Sequence, residues 1–411
     1  MTAIRMLTLG TALVSAALCG DAGAVDFATI FQYQNGNPGA LVISSGTLYG
    51  TGFDVSDNGC GEIFQLQPPS APGGDWSKTT IHSFAGRPSD GCGPLAAVAG
   101  PGGVLYGVTE VGGSLDGGTV YVLQPPAMPG GAWLENVLYS IPEGVGTPFG
   151  PVLAPDGNVY AGASNGGNGV GAIYQLRPSA SVGGSWTATV AFNFPAERRE
   201  DYPGSLSLGS DGAFYGTIPV GGNYKIDAGA VFKLQPPAVP GGSWTETILY
   251  DFRGGHDGAT PNSVMLGPDG IVYGTTFGDN PEAYGTGTVF SLTPPATSGD
   301  RWIKKTLHTF SSRRAPGYYY GPDSPLIMRN GKLYGASGLL DTNTNKPGGL
   351  VYELSPPSTP GGEWTCTILH RWLDGQVPSF GSIAMEEDGR TLYGGTYVPD
   401  ASEGTIYRIS W

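Results

Sequence analysis

The sequence is poor in charge. Only 13% of its 411 residues are Asp, Glu, Lys or Arg, and 20 basic residues face 34 acidic ones, for a formal net charge of -14. Nucleic-acid binding needs a basic stripe to replace phosphate counterions, and none exists, so that class of partner is excluded. Past the first two dozen residues no stretch approaches twenty apolar residues, which excludes a transmembrane helix. Cysteine and histidine number four each, too few for a His-rich metal site and without zinc-signature spacing. There is no G-x-S-x-G elbow, P-loop or EF-hand loop. No cofactor is implied. Ca2+ on aspartates scattered over loops is left open, with no motif behind it. Helical periodicity is absent as well.

What abounds is glycine (70) and proline (35), about a quarter of the chain, with 21 Tyr and 8 Trp. Such a composition without a period would read as disorder. Here the hydrophobic fraction is 39% and the Gly and Pro recur at regular places, so they punctuate turns. At the N-terminus Arg5 precedes an apolar stretch, Met6 to Gly20, and Ala22 and Ala24 precede Val25. This pattern predicts a signal peptide over residues 1–24, cut ahead of Val25, and a secreted or periplasmic product. Lipidation of Cys19 is not expected, because Leu18 is too bulky for the position before a lipidated cysteine.

A tyrosine motif repeats along the rest: "GPDGIVYGTTFG" from Gly267, "GSDGAFYGTIPVGG" from Gly209, "APDGNVYAGASNGG" from Ala154, "MRNGKLYGASG" from Met328. Its tyrosine recurs at Tyr49, Tyr106, Tyr160, Tyr215, Tyr273, Tyr334 and Tyr393, spaced 54 to 61 residues apart. Each unit reads as four short strands. Asp156-Gly157, Asp211-Gly212, Asp269-Gly270, Asn330-Gly331 and Asp388-Gly389 mark two-residue hairpins with positive φ between the first two. "GTVFSL" and its relatives form the third strand, Pro-Pro stops it, and "WTETILYDF" is the fourth. Four antiparallel strands per unit predict an all-β propeller. The last unit stops after its third strand at "GTIYRISW", and an orphan fourth strand, "FATIFQY", opens the mature chain. Joined, they complete a seventh blade from residues 378–411 and 25–34 and leave no open sheet edge. The expectation is a single seven-bladed propeller over 25–411, acting as a monomer. A linear β-solenoid would have no use for complementary termini.

The pattern "LYGTT…GG…GTVFxLxPP…GGxWTxTxLYxF…DGxxP" resembles the GloVer tandem repeat of exported bacterial proteins, over essentially all of 25–411. The resemblance implies secretion and no particular activity, since it brings no catalytic residues. Members often carry a C-terminal sorting or anchoring signal; this chain ends at Trp411, within the last strand, so no anchor is expected.

Repeat equivalence separates architecture from chemistry. His82, His308 and His370 each fall six residues after a blade tryptophan (Trp76, Trp302, Trp364), where other blades have Tyr139, Phe192 and Tyr250. A position shared by His, Tyr and Phe is a packing position. The residues that break the pattern lie in loops leading into first strands, which should share one face with the second-to-third loops. "FPAERREDYPG" carries Arg198 and Arg199 among Glu197, Glu200 and Asp201; "FSSRRAPGYYYGPDSP" carries Arg313, Arg314, Tyr318, Tyr319 and Tyr320. Arginines grip carboxylates or sulfates and tyrosines offer flat faces to sugars, which together suit an anionic polysaccharide. His256 is the one histidine outside the repeat position and a candidate general base beside Asp257. Asp257 itself, equivalent to Asp90 and Asp374, suggests a turn role. Cys60 and Cys92 occupy loops expected on the same face of neighbouring blades and predict a disulfide. Cys366 takes a place held by Glu, Lys or Ala elsewhere and reads as an incidental thiol.

Three functions follow. The first is a non-catalytic exported propeller binding a polysaccharide or an extracellular protein through Arg198, Arg199, His256, Arg313, Arg314 and Tyr318 to Tyr320. The second is a polysaccharide lyase, with arginine neutralising a uronate while His256 or Tyr319 removes the α proton. The third is a periplasmic assembly scaffold.

Overall fold

The protein's structure is a computed structural model, in which residues 19–411 are described apart from the segments named next. Outside the described residues lie 34–35, 55–58, 165–170, 180–184, 196–202, 223–226, 279–286, 311–320, 342–345 and 399–402, with single positions 72, 129, 240, 298, 323, 360 and 374.

Seven blades of four antiparallel strands form a propeller, each ordered from first to fourth strand, and the sheet of blade 6 gains a fifth, parallel strand, Gly20–Asp21. Blade 1, for example, is Gly36–Ser44, Thr47–Asp54, Glu62–Gln67 and Ser77–Ser83. Blade 7 takes Val377–Met385, Thr391–Tyr397 and Gly404–Ser410 from the C-terminus and Asp26–Gln32 from the N-terminus. The closing pair is antiparallel, with Asp26 opposite Ser410 and Gln32 opposite Thr405. The expected ring of seven is therefore present, and its closure pairs the edges that an open array would expose.

The repeated tyrosine explains the motif. Its ring packs under the tryptophan of the next blade's outer strand: Trp133 meets Tyr49 at 5.8 Å, Trp186 meets Tyr106 at 6.0 Å and Trp364 meets Tyr273 at 6.1 Å. Blade 7 borrows its outer strand and has no such tryptophan. There Trp411 stacks on Tyr334 at 5.4 Å and supplies the missing indole. The tyrosine hydroxyl reaches back to its own turn, as Tyr215 to Asp211 (2.9 Å) and Tyr273 to Asp269 (2.8 Å). The glycine after the tyrosine makes room for a third-strand ring: a Cβ at Gly107 would overlap Tyr121, and one at Gly394 would overlap Tyr407.

The hairpin turns differ from expectation in detail. Of the five expected turns Asn330-Gly331 alone has both residues at positive φ, 52° and 75°; Ser45-Gly46 in blade 1 does too, at 50° and 75°. In the Asp-Gly turns the glycine alone is left-handed, because the aspartate carboxylate accepts from the N–H two residues on (Ala213 to Asp211, 3.1 Å; Ile271 to Asp269, 3.1 Å). That Asx contact favours a three-residue loop over the two-residue one.

Two disulfides are present. Cys60–Cys92 joins blades 1 and 2 as expected. Cys366 is not an incidental thiol: it is bonded to Cys19. Residues 20 and 21 run parallel to the outer strand of blade 6, Thr365–Trp372, and bring Cys19 alongside. Residues 26–32 then cross to blade 7, so the N-terminal segment spans the last two blades. A cut ahead of Val25 would remove Cys19 and leave Cys366 unpaired.

Candidate functional site

Chemistry concentrates in the seams between blades, built from a three-ring zipper. Except in blade 2, where Ile141 follows Tyr139, the residue six positions after the blade tryptophan stands edge-on to the aromatic two further along, as His82 to Phe84 (4.6 Å), Phe192 to Phe194 (5.2 Å), Tyr250 to Phe252 (5.2 Å) and His308 to Phe310 (4.7 Å). That second ring packs on a third-strand aromatic of the following blade: Phe84 on Tyr121, Phe194 on Phe232, Phe252 on Phe290, Phe310 on Tyr352. Ring shape and apolar area decide these places, so His, Tyr and Phe interchange. Burial holds the buried His308 down to about 4, and the ring is neutral at ordinary pH.

Each zipper leaves one variable position, the residue two after the blade tryptophan on the following blade. It is Glu135 between blades 1 and 2, Lys304 between blades 4 and 5, Cys366 between blades 5 and 6, and Phe27, from the N-terminal strand, between blades 6 and 7. In the blade 5–6 seam Cys19 Sγ lies 3.3 Å from His308 Nε2. Cys19, His308 and Cys366 cluster within metal-ligand reach, but the disulfide engages both sulfurs. In the blade 1–2 seam His82, Asp90 and Glu135 bring their ligand atoms within 4.8 Å of one another.

The blade 6–7 seam opens into a groove of ≈ 490 Å³ lined by Phe27, Thr29, His370, Arg371, Trp372, Leu373 and Gln376. Phe27 and His370 stack face to face, 3.6 Å between centroids and 6° between planes. Trp372 stands edge-on to both, 5.8 Å from Phe27 and 4.5 Å from His370, and is buried. Arg371 and Leu373 are exposed at the lip. The groove follows from ring closure, since Phe27 and Thr29 arrive on the N-terminal strand and the other walls on the chain's last quarter. It lies where an outer strand leads into the next first strand. Cys60–Cys92 ties a second-to-third loop to the start of a first strand, so both kinds of loop share this face.

Of the residues expected to bind ligand, His256 is exposed on a single 3-10 turn, Gly255–Asp257. Its neighbour Asp257 has the turn role, accepting from Arg253 N (2.9 Å) and Tyr250 Oη (2.8 Å). Asp90 does likewise through Ala85 N (2.7 Å) and Gly91 N (2.6 Å). Arg198, Arg199, Arg313, Arg314, Tyr318, Tyr319, Tyr320 and Asp374 lie outside the described residues. The expectation missed Phe27, which looked like plain strand, and Arg371. Repeat equivalence marks Arg371, because the other outer strands have Ser83, Ser140, Asn193, Asp251 and Thr309 there.

The family model described as the Gloeobacter/Verrucomicrobia repeat matches residues 17–206 and 147–407. No curated protein matches the chain. Solved structures share the fold at low identity. A puromycin-hydrolyzing peptidase of Mycobacterium tuberculosis is 13% identical with a TM-score of 0.57, over 91% of this chain and 50% of its own. An ulvan lyase from a polysaccharide lyase family is 12% identical with a TM-score of 0.52, over 92% and 94%. The β-propeller domain of Cps50 (Swd1) from Myceliophteria thermophila is 9% identical with a TM-score of 0.51, over 93% and 99%. At these identities the likeness is one of fold alone.

Proposed function

The chain belongs to the Gloeobacter/Verrucomicrobia repeat family, and on that premise we propose that it is an exported, non-catalytic propeller that binds an acidic polysaccharide at the rim between blades 6 and 7. The groove beside Arg371 carries this reading. The stacked Phe27 and His370 present a flat wall for a sugar ring, and the Arg371 guanidinium offers paired donors to a carboxylate or sulfate. The arginines and tyrosines at 198–199, 313–314 and 318–320, outside the described residues, are kept as candidate contacts on the strength of their place in the repeat. A net charge of -14 repels a polyanion, but screening confines that repulsion to about 8 Å at physiological ionic strength, so contact with the arginines decides.

Three of the four histidines are committed to ring packing, which favours binding over catalysis. The lyase alternative draws on the ulvan lyase of the same fold and on His256 and Tyr319. Two disulfides suit an oxidising compartment. In this reading export proceeds with a cut that keeps Cys19, after Ala17, with Ser15 at the other small-residue position.

The test is calorimetry and affinity electrophoresis on neutral, uronate and sulfated polysaccharides. Binding is expected on the acidic ones. Arg371→Ala, at an exposed position, should weaken it about tenfold or more, the scale of one charge-assisted contact. Affinity unchanged in Arg371→Ala, or no binding to any acidic glycan, contradicts the reading. Growth of ultraviolet absorbance from unsaturated products, abolished in His256→Ala or Tyr319→Phe, would establish the lyase instead.

A further inference from the structure

The blade 1–2 seam differs from its repeat-equivalent in the sign of one charge. Between blades 4 and 5, Asp257, Tyr250 and Lys304 form a complete set: the lysine pairs with the aspartate at 3.2 Å and the tyrosine donates to it at 2.8 Å. The matching residues between blades 1 and 2 are Asp90, His82 and Glu135. The lysine has become a glutamate, so two carboxylates share a pocket that elsewhere holds one carboxylate and its counter-ion. Among the described residues no lysine or arginine pairs with Asp90 or Glu135.

We propose that this seam is a binding site for a divalent cation of the zinc class, held by His82 Nε2, Asp90 and Glu135 across blades 1 and 2. His82 Nε2 faces Asp90 Oδ2 at 3.4 Å, without the alignment of a hydrogen bond. That separation matches the edge of a tetrahedral site with metal–ligand bonds of about 2.1 Å. Glu135 completes the set within 4.8 Å. Glu135 Oε1 is buried without a hydrogen-bond partner, and His82 Nε2, buried too, faces only the Asp90 carboxylate and makes no hydrogen bond. A buried acceptor without a partner is destabilising, and a metal ion relieves that. Asp90 is fixed in place by its bonds from Ala85 N and Gly91 N, which orient its carboxylate for a ligand role. One imidazole and two carboxylates suit zinc-class ions, and the three protein ligands leave a coordination position open. Cys60–Cys92 ties the same two blades, so the ion would add a second cross-link there.

The experiment uses the intact oxidised protein, stripped with chelator and titrated with Zn2+ by calorimetry, and with Co2+ by visible absorption. The comparison variants borrow residues from other blades: Glu135→Lys, as Lys304 in blade 5, and Glu135→Ala, as Ala188 in blade 3. Wild type should take up one ion per chain, show Co2+ bands of low-symmetry N/O coordination, and unfold at higher temperature with Zn2+. Both variants should remain folded and lose at least 100-fold in affinity. No uptake by wild type, or uptake equal in Glu135→Lys, overturns the proposal.

Discussion

Replacing Cys19 and Cys366 together by alanine removes a cross-link that spans 347 residues, whereas Cys60–Cys92 spans 32. Alanine is the natural choice at 366, since Ala188 holds the equivalent place in blade 3. A cross-link restricts the unfolded chain in proportion to the logarithm of its loop. Loop-entropy arithmetic gives about 6 kcal/mol for the longer loop and about 4 kcal/mol for the shorter. Urea unfolding of the oxidised proteins, followed by tryptophan fluorescence, should therefore order the midpoints as wild type, then Cys60→Ala/Cys92→Ala, then Cys19→Ala/Cys366→Ala. Reductant should bring wild type below both. A Cys19→Ala/Cys366→Ala midpoint that coincides with wild type would refute the reasoning, since it would mean that Cys19 is absent from the folded product.

Three other outcomes follow from the geometry. Trp411→Ala removes the indole stacked on Tyr334 and should destabilise by about 1–3 kcal/mol, read as a lower urea midpoint. Burial holds His308 at about 4, below its ordinary 6.5, so the unfolded chain binds the extra proton first and stability falls as pH drops below 6.5. At pH 5 that loss is about 2 kcal/mol, from ~1.4 kcal/mol per pH unit. His308→Phe, using the residue found at 192, should flatten the acid side of the profile measured by thermal unfolding. Intact-mass analysis of the exported protein should give a chain beginning at Leu18 with no free thiol; a start at Val25 with one free thiol would contradict the proposed cut.

Periodic features were legible in the sequence. Seven tyrosines at near-constant spacing, the orphan strand at Phe27 to Tyr33 and the truncated last repeat define the ring, because strand pairing and turn chemistry are local and recur. Cys60–Cys92 was readable for the same reason: both loops could be placed on one face from the repeat. What escaped depends on places where the chain's ends meet. Cys19 sits inside a stretch with the composition of a leader, so its bond to Cys366 is invisible until residues 20 and 21 are seen on the edge of blade 6. Phe27 looks like one more strand residue, and only closure sets it against His370 and Arg371. The Asp-Gly turns were read as the wrong length because the aspartate side chain, not the backbone preference alone, sets the loop. The reversal from Lys304 to Glu135 was in plain view, but its weight depends on Asp90 lying within reach.

The groove, the disulfide clasp and the seventh blade all require the N-terminal strand to lie on Gly404–Ser410. Hydrogen exchange of the peptide 26–33, followed by mass spectrometry on the oxidised protein, measures that directly. The account predicts protection equal to that of an internal outer strand such as Ile303–Thr309. Exchange of 26–33 at the rate of an unstructured peptide, with 303–309 still protected, would contradict it.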